Sequence, residues 1–384
     1  MPVLSYERLP IRKFASPEVI FGSGSIELVG QHAYNLSRRQ VLVVSDAGVR
    51  QAGWTEKVMG SLEQSGLRIT LFDDVAANPR TDDVMRGARR YLDDDCDLIV
   101  AVGGGSPMDC AKGIGIVATG GQDIVSFEGV DKVRVPGPPL ICVPTTAGSS
   151  ADVSPVAIIT DPERRKKMAI ISRLLVPDLS LIDPTTTATM DDSLTVATGM
   201  DTLAHAFESY VSNASSPLTD LFALEAAKLV AENLPAAHRR PEDEKAREMM
   251  MLASLYAGLA FSNASLGVLH AMAHSAGGFC DSSHGETGGA LLECVVEFNY
   301  PCVRDKYDML ERAMFGAAGG KGSLIGKIDG FRKELGADRG LESCGLGRED
   351  IPYVSRNAAA DPCLATNPRK VTREDIEVLY ERAL

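Results

Sequence analysis

Short runs of β-branched and aliphatic residues recur through the first half of the chain and fade from the second. Val41–Val44, Ile69–Phe72, Leu98–Val102 and Leu140–Val143 are such runs, separated by mixed-polarity stretches of helical character. Several are apolar without alternation, the signature of strands covered on both faces. Strand, turn and helix in series predict an α/β domain built on a parallel sheet. From about Asp191 the pattern changes. Long stretches rich in Ala, Leu, Glu and Met take over, such as Thr219 to Asn233 and Glu244 to Gly258. They predict an all-α second domain. The change falls near Leu181-Ile182-Asp183-Pro184, where Pro184 interrupts helix or strand alike. The expected division is therefore residues 1–184 and 185–384, and 384 residues suit two domains. Gly319-Gly320-Lys321-Gly322 predicts a flexible surface loop.

Composition narrows the function. Hydrophobic residues make up 45% and charged residues 24%, enough for a large core without staples. Asp plus Glu (52) outnumber Lys plus Arg (39), for a net charge of -13. Such a chain repels nucleic acid and anionic membranes, so neither is expected as a partner. Arg164-Arg165-Lys166-Lys167 follows a predicted turn, Asp161-Pro162-Glu163, and reads as a solvated turn whose last Lys alone is placed to touch a ligand. The eight Cys are scattered with no C-x-x-C pair, which predicts a reducing, cytoplasmic setting. Met1–Glu7 lacks a basic segment followed by an apolar run, so no signal peptide is expected. No run of about 18 apolar residues predicts a transmembrane helix.

The run Leu98 to Asp109 carries the first chemical signal. A buried strand ends in Gly103, Gly104 and Gly105, and a helix is predicted to follow. Ser106 suits its N-cap, Pro107 its first position and Asp109 its third, where a capping box would close. Glycines admit a ligand close to the backbone, and a helix start attracts a pyrophosphate. This is not a G-x-G-x-x-G fingerprint; the strand before and the helix after give it weight. Asp46, just past the first strand, can accept hydrogen bonds from ribose hydroxyls and would repel a 2′-phosphate, favouring NAD over NADP. Val143 to Ser150 is a second strand end, rich in hydroxyls, that could bind phosphate or ribose or simply turn.

The second signal is histidine. The chain has six, and four fall at His205, His270, His274 and His284. Asp201 and His205 are four apart and share a helix face, with Met200, Leu203 and Phe207 on another. His270 and His274 repeat that spacing on a helix apolar nearly all round, which predicts burial. Buried imidazoles need partners: a metal, a carboxylate or a ligand. His284-Gly285 follows in a loop-like stretch from Cys280 to Gly289. One carboxylate plus imidazoles is a normal site for a borderline divalent cation.

These motifs together resemble one family. Gly103-Gly104-Gly105-Ser106-Pro107-Met108-Asp109, Pro144-Thr145-Thr146-Ala147-Gly148, Gly199-Met200-Asp201-Thr202-Leu203-Ala204-His205, His270-Ala271-Met272-Ala273-His274 and His284-Gly285 are similar to those of the iron-dependent (group III) alcohol dehydrogenases over essentially the whole length. The resemblance implies a dehydroquinate synthase-like / iron alcohol dehydrogenase fold, with an N-terminal nucleotide-binding domain, a helical C-terminal domain and the active site between them. It implies Asp201, His205, His270 and His284 as metal ligands, with His274 beside the metal and cofactor in proton transfer. Cofactor contacts are implied at Asp46, Asn78, Gly103, Gly104, Ser106, Asp109, Thr145, Thr146, Ser149 and Lys167. Substrate-pocket positions are implied at Phe261, Leu266 and Cys363.

The match is broken in two places. Ser149-Ser150-Ala151-Asp152-Val153 stands where the family has Thr-Gly-Ser-Glu-Val, and Ser283 stands where Pro is usual. The expected activity is reversible hydride transfer between NAD(H) and a small primary alcohol or aldehyde, with the metal acidifying the hydroxyl. The donor set accepts Fe²⁺ or Zn²⁺, and the resemblance points to iron. Relatives suggest a homodimer or larger homo-oligomer. Two rivals share the plan. A glycerol dehydrogenase-type zinc polyol dehydrogenase is opposed by the His270–His274 segment, and a non-catalytic NAD-binding regulatory protein by the intact ligand set.

Overall fold

A computed structural model describes residues 11–36 and 40–384. The Met1–Glu7 reading lies outside these residues. The nine strands of the described residues are β1 (Glu18–Phe21), β2 (Gln40–Val44), β3 (Arg68–Phe72), β4 (Leu98–Gly103), β5 (Gly129–Val130), β6 (Leu140–Pro144), β7 (Val156–Asp161), β8 (Lys166–Ile171) and β9 (Leu179–Ile182). The four runs read as strands are β2, β3, β4 and β6. Six strands form one sheet in the order β1-β9-β6-β4-β2-β3, with every pairing parallel.

Both faces of that sheet are covered, which explains the unbroken apolar runs. Val41, Val43, Val100 and Val102 pack with Val29, Ala33, Val58 and Leu62 on one face. Leu42, Val44, Ile99 and Ala101 pack with Val84, Met108, Ala111 and Ile114 on the other. Adjacent residues of one strand thus serve opposite cores, as the two-residue period requires. This is a doubly wound α/β domain. A smaller sheet, β5-β8-β7, holds the antiparallel pair β7–β8. It corrects the solvated-turn reading of 164–167. Arg164 and Arg165 make the turn, with Arg165 at φ 45°, but Lys166 and Lys167 are strand residues and Lys167 is buried.

Beyond Asp191 the described residues are helical. The long helices are Asp192–Val211, Pro217–Arg239, Glu244–Ala264, Val268–Cys280 and His284–Asn299. Asp191, Ser216 and Asp243 cap the first three through their side chains. Ala223, Ala226, Ala227, Ala253, Ala257 and Ala260 are fully buried, and these small residues let the helices pack closely. Gly319–Gly322 is only half a loop: a helix, Lys321–Glu334, begins inside it, and the Glu311 carboxylate accepts the Gly319 N–H and the Ser323 hydroxyl. Among the described residues no single helix is long and apolar enough to cross a membrane.

Candidate active site

The glycine turn sits at the carboxyl end of the sheet. β2 leads outward to β3 on one side, while β4 and β6 follow on the other. The crevice beyond β2 and β4 is therefore a topological switch point, where open α/β sheets hold ligands. Gly103 has φ 148°, and a Cβ there would meet Pro107 at 2.7 Å. Side chains at Gly104 and Gly105 would strike Thr146 and Ser149 at 3.2 and 2.9 Å. The Thr145 N–H donates to Gly103 O at 2.9 Å, which ties the two strand ends together. Thr146 and Ser149 thus stand over a bare backbone turn.

The capping prediction needs correction. The helix runs Gly105–Gly120 with Gly104 at its N-cap and no side-chain cap. Ser106 lies inside the first turn and donates to Ala77 O. Asp109 turns away from the helix start and accepts the Ile158 N–H at 3.1 Å. The helix start is left open to a ligand, which a capping box would have closed. Asp46 caps its own short helix, accepting the Val49 N–H at 2.9 Å. Asn78 reaches across to the helical half, donating to Asp281 at 2.8 Å.

Asp201 and His205 project from the buried helix Asp192–Val211, and His270 from the buried helix Val268–Cys280. His284 is not on a loop, as expected, but is the first residue of the helix His284–Asn299. Close approach at Gly285 brings it in: a Cβ there would lie 2.1 Å from Ala197 O. From Asp201 Oδ1 the Nε2 atoms of His205, His270 and His284 lie 4.0, 3.9 and 3.6 Å away. Donor atoms of all four residues fall within 4.8 Å of one another.

These distances are too long for hydrogen bonds. Asp201 Oδ1 and His270 Nε2 are buried with no hydrogen-bond partner. Orphaned buried polar atoms are costly, and two that face each other beside two further imidazoles call for a shared partner. Ligand atoms about 2.1 Å from a tetrahedral cation stand roughly 3.4 Å apart, slightly closer than seen here. The set therefore fits a divalent cation. Burial pushes the Asp201 carboxyl up to about 6, against the pull of His270 and His274. Burial holds His205 well below its usual value, helped by His270. The same cause acts on His284, helped by Lys167. Both rings are neutral, as metal ligation requires.

Two carboxylates missed in the sequence stand behind imidazoles of the site, one of them behind a residue of this set. Glu208 accepts from Gly267 N, Leu269 N and His270 N at 2.8, 2.7 and 3.3 Å, and pairs with His270 Nδ1 at 2.7 Å. Asp361 pairs with His274 Nδ1 at 2.9 Å. Glu208 carried a weak signal, an acid in an otherwise apolar stretch one helical turn after His205. Asp361 carried none. Phe261, Leu266 and Cys363 come together as one buried apolar cluster. Phe261 stacks on His205 with ring centroids 4.4 Å apart, so this wall adjoins the ligand set.

Charged groups couple the cluster to the helix that follows the glycine turn. Burial raises the Asp109 carboxyl to about 6, opposed by Lys112, Lys167 and His274. Burial lowers Lys167 to about 8, opposed by Asp281, Asp201 and Asp109. The altered segment after Gly148 is firmly built. Ser150 Oγ donates to Ser254 O at 2.7 Å, and Ser180 Oγ donates to Asp152 at 2.7 Å.

A doubly wound sheet facing a helical half that holds a buried carboxylate–imidazole cluster defines the dehydroquinate synthase-like / iron alcohol dehydrogenase fold. Residues 16–184 match the iron-containing alcohol dehydrogenase family, and residues 195–384 match the C-terminal part of the Fe-containing alcohol dehydrogenase family. An NAD-dependent methanol dehydrogenase of Bacillus methanolicus is 33% identical over 378 residues, spanning 97% of this chain and 99% of its own. A 1,3-propanediol dehydrogenase of Klebsiella pneumoniae is 36% identical over 371 residues, spanning 94% and 96%. The crystal structure of a 1,3-propanediol oxidoreductase superposes with a TM-score of 0.94 at 35% identity, over 98% of this chain and 100% of that one. An alcohol dehydrogenase from Oenococcus oeni superposes at 0.93 with 33% identity, over 97% and 100%. The chain belongs to the iron-containing alcohol dehydrogenase family.

Proposed function

We propose that this protein is a metal-dependent alcohol dehydrogenase that moves a hydride reversibly between NAD(H) and a small primary alcohol or aldehyde. The observation that carries this is the cluster of Asp201, His205, His270 and His284, the first three buried and the last partly so, with donor atoms within 4.8 Å of one another. Those four residues hold a divalent cation, iron by family and zinc as the alternative. When bound, the cation supplies Lewis acidity toward a hydroxyl or carbonyl oxygen. The nucleotide would be held at Gly103, Gly104 and Ser106. Thr145, Thr146, Ser149, Asp109 and Lys167 would help to hold it, together with Asp46 and Asn78. Asp46 favours NAD by repelling a 2′-phosphate. Phe261, Leu266 and Cys363 form the wall against the substrate's carbon chain. His274 takes the hydroxyl proton.

Relatives named for methanol and 1,3-propanediol support a small primary alcohol as substrate. The division at 184/185, a cytoplasmic location and assembly as a homodimer or larger belong to the same reading. The test is metal analysis of anaerobically purified protein, with NAD-linked oxidation of short alcohols assayed on the same sample. Near-stoichiometric iron or zinc, with activity lost on chelation, is the expected result. Protein that takes up no metal on reconstitution and turns over nothing would sink the reading.

A further inference from the structure

His274 is the one histidine of the site outside the cation cluster. Its Nδ1 lies 2.9 Å from Asp361 Oδ2, a residue 87 positions away in the chain. Asp361 is held in turn: its Oδ1 accepts the Cys363 N–H at 2.8 Å, capping the short helical turn Pro362–Thr366. Burial pushes the Asp361 carboxyl up, but His274 and Cys363 outweigh it and hold it at about 2.

Donor atoms of His274, Asp361 and Cys363 all lie within 4.8 Å, so a second cation is one reading of the trio. The spacing decides against it. A separation of 2.9 Å is a hydrogen-bond length, shorter than the roughly 3.4 Å between ligand atoms around a tetrahedral cation. A carboxylate only accepts, so Nδ1 of His274 carries a proton, and in the neutral ring Nε2 is then the atom with the lone pair. The His274 ring stacks on His284 with centroids 5.5 Å apart and planes 13° apart, which fixes the direction of Nε2 beside the ligand set.

We propose that Asp361 is a positioning residue: it sets the Nδ1–H tautomer of His274 and aims the Nε2 lone pair into the site. This rests on the proton-transfer role given to His274 above. In the oxidation direction the substrate O–H bond breaks and its proton goes to Nε2. The C–H electron pair leaves as hydride to the nicotinamide, the only oxidant needed, and a carbonyl forms. Nε2–H then returns its proton to solvent.

The test is Asp361→Asn, and the Cys363 N–H makes its outcome specific. That N–H keeps the amide oxygen on the capping side, so the amide NH₂ faces His274. It donates to Nδ1 and forces the proton onto Nε2, the wrong tautomer for accepting one. The turn remains capped and the protein folds.

In metal-loaded enzyme kcat should fall about 10²-fold, with KM, metal content and NADH affinity unchanged. In a His274→Ala background the same change should cost nothing further. Histidine-selective ¹⁵N spectra of the metal-free protein should show protonated Nδ1 at His274 in the parent and protonated Nε2 in Asp361→Asn. An unchanged tautomer, full activity of Asp361→Asn, or independent losses in the two backgrounds overturns the proposal. Full activity of His274→Ala overturns the proton-transfer reading beneath it, and the proposal with it.

Discussion

Glu208 Oε2 stands 2.7 Å from His270 Nδ1, and the same carboxylate accepts three backbone N–H groups at the start of the helix that carries His270. One buried acid therefore does three things. It replaces the missing side-chain cap of the helix Val268–Cys280, joins that helix to Asp192–Val211, and turns His270 so that Nε2 faces Asp201. Carboxylates behind ligating imidazoles fix the ring and raise its basicity.

Glu208→Gln should lower metal affinity about 10- to 100-fold, because one amide oxygen cannot serve both His270 and all the N–H groups that the two carboxylate oxygens accept. Glu208→Ala should also leave buried N–H groups unpaired, at about 1–3 kcal/mol each, and lower the melting temperature. Competition with a graded series of chelators measures the first effect and thermal denaturation the second. Unchanged metal affinity in Glu208→Gln would remove this residue from the site.

His270→Ala should abolish turnover, by about 10³-fold or more, because Lewis acidity contributes several kcal/mol to the barrier. NADH affinity should persist, since the cradle lies on strand ends that His270 does not touch. Stopped-flow turnover and NADH fluorescence titration separate the two. A fully active variant would rule out a metal mechanism.

Gly285→Ala tests the approach that delivers His284. A Cβ 2.1 Å from Ala197 O forces two helices apart, and overpacking of this kind costs about 1–3 kcal/mol. The expected result is a folded protein with a lower melting temperature and weakened metal binding. If metal affinity is untouched, the cation does not depend on His284.

Lys167 predicts a pH dependence. Its folded value is about 8, lowered by burial from an ordinary 10.5. Below about 8 the ammonium is charged and attracts a diphosphate; above it the charge is lost. NADH affinity should therefore fall as pH rises through about 8, with the midpoint shifted upward by the bound anion. Stability moves the other way. Between about 8 and 10.5 the unfolded chain binds the proton that the folded one has released, so Lys167 makes stability rise with pH in that window. Lys167→Met should flatten both trends in fluorescence titration and chemical denaturation. An unchanged affinity profile in that variant would place Lys167 away from the phosphates.

Strands β2, β3, β4 and β6, the parallel sheet, the helical second half and the pairs Asp201/His205 and His270/His274 were all legible in the chain's own pattern, whereas the choice of ligand set came from the family resemblance. Those features rest on local periodicity: apolar runs mark doubly covered strands, and i, i+4 spacing puts Asp201 and His205 on one face. Reading stopped where an outcome depended on a partner distant in sequence. Ser106 has the chemistry of an N-cap, yet its hydroxyl goes to Ala77 O, 29 residues back. The stretch before Gly289 is rich in small polar residues, yet His284 opens a helix because Gly285 can press against Ala197.

The sequence by itself determined the class of fold, the main strands and helices and the histidine-bearing segments, because hydrophobic period and residue type are properties of neighbouring positions. Only the tertiary structure decided how their residues are oriented. Glu208 meets His270 across 62 positions and Asp361 meets His274 across 87. No local pattern encodes such pairs. Burying a carboxylate and an imidazole together is favourable only once packing has brought them within hydrogen-bond reach.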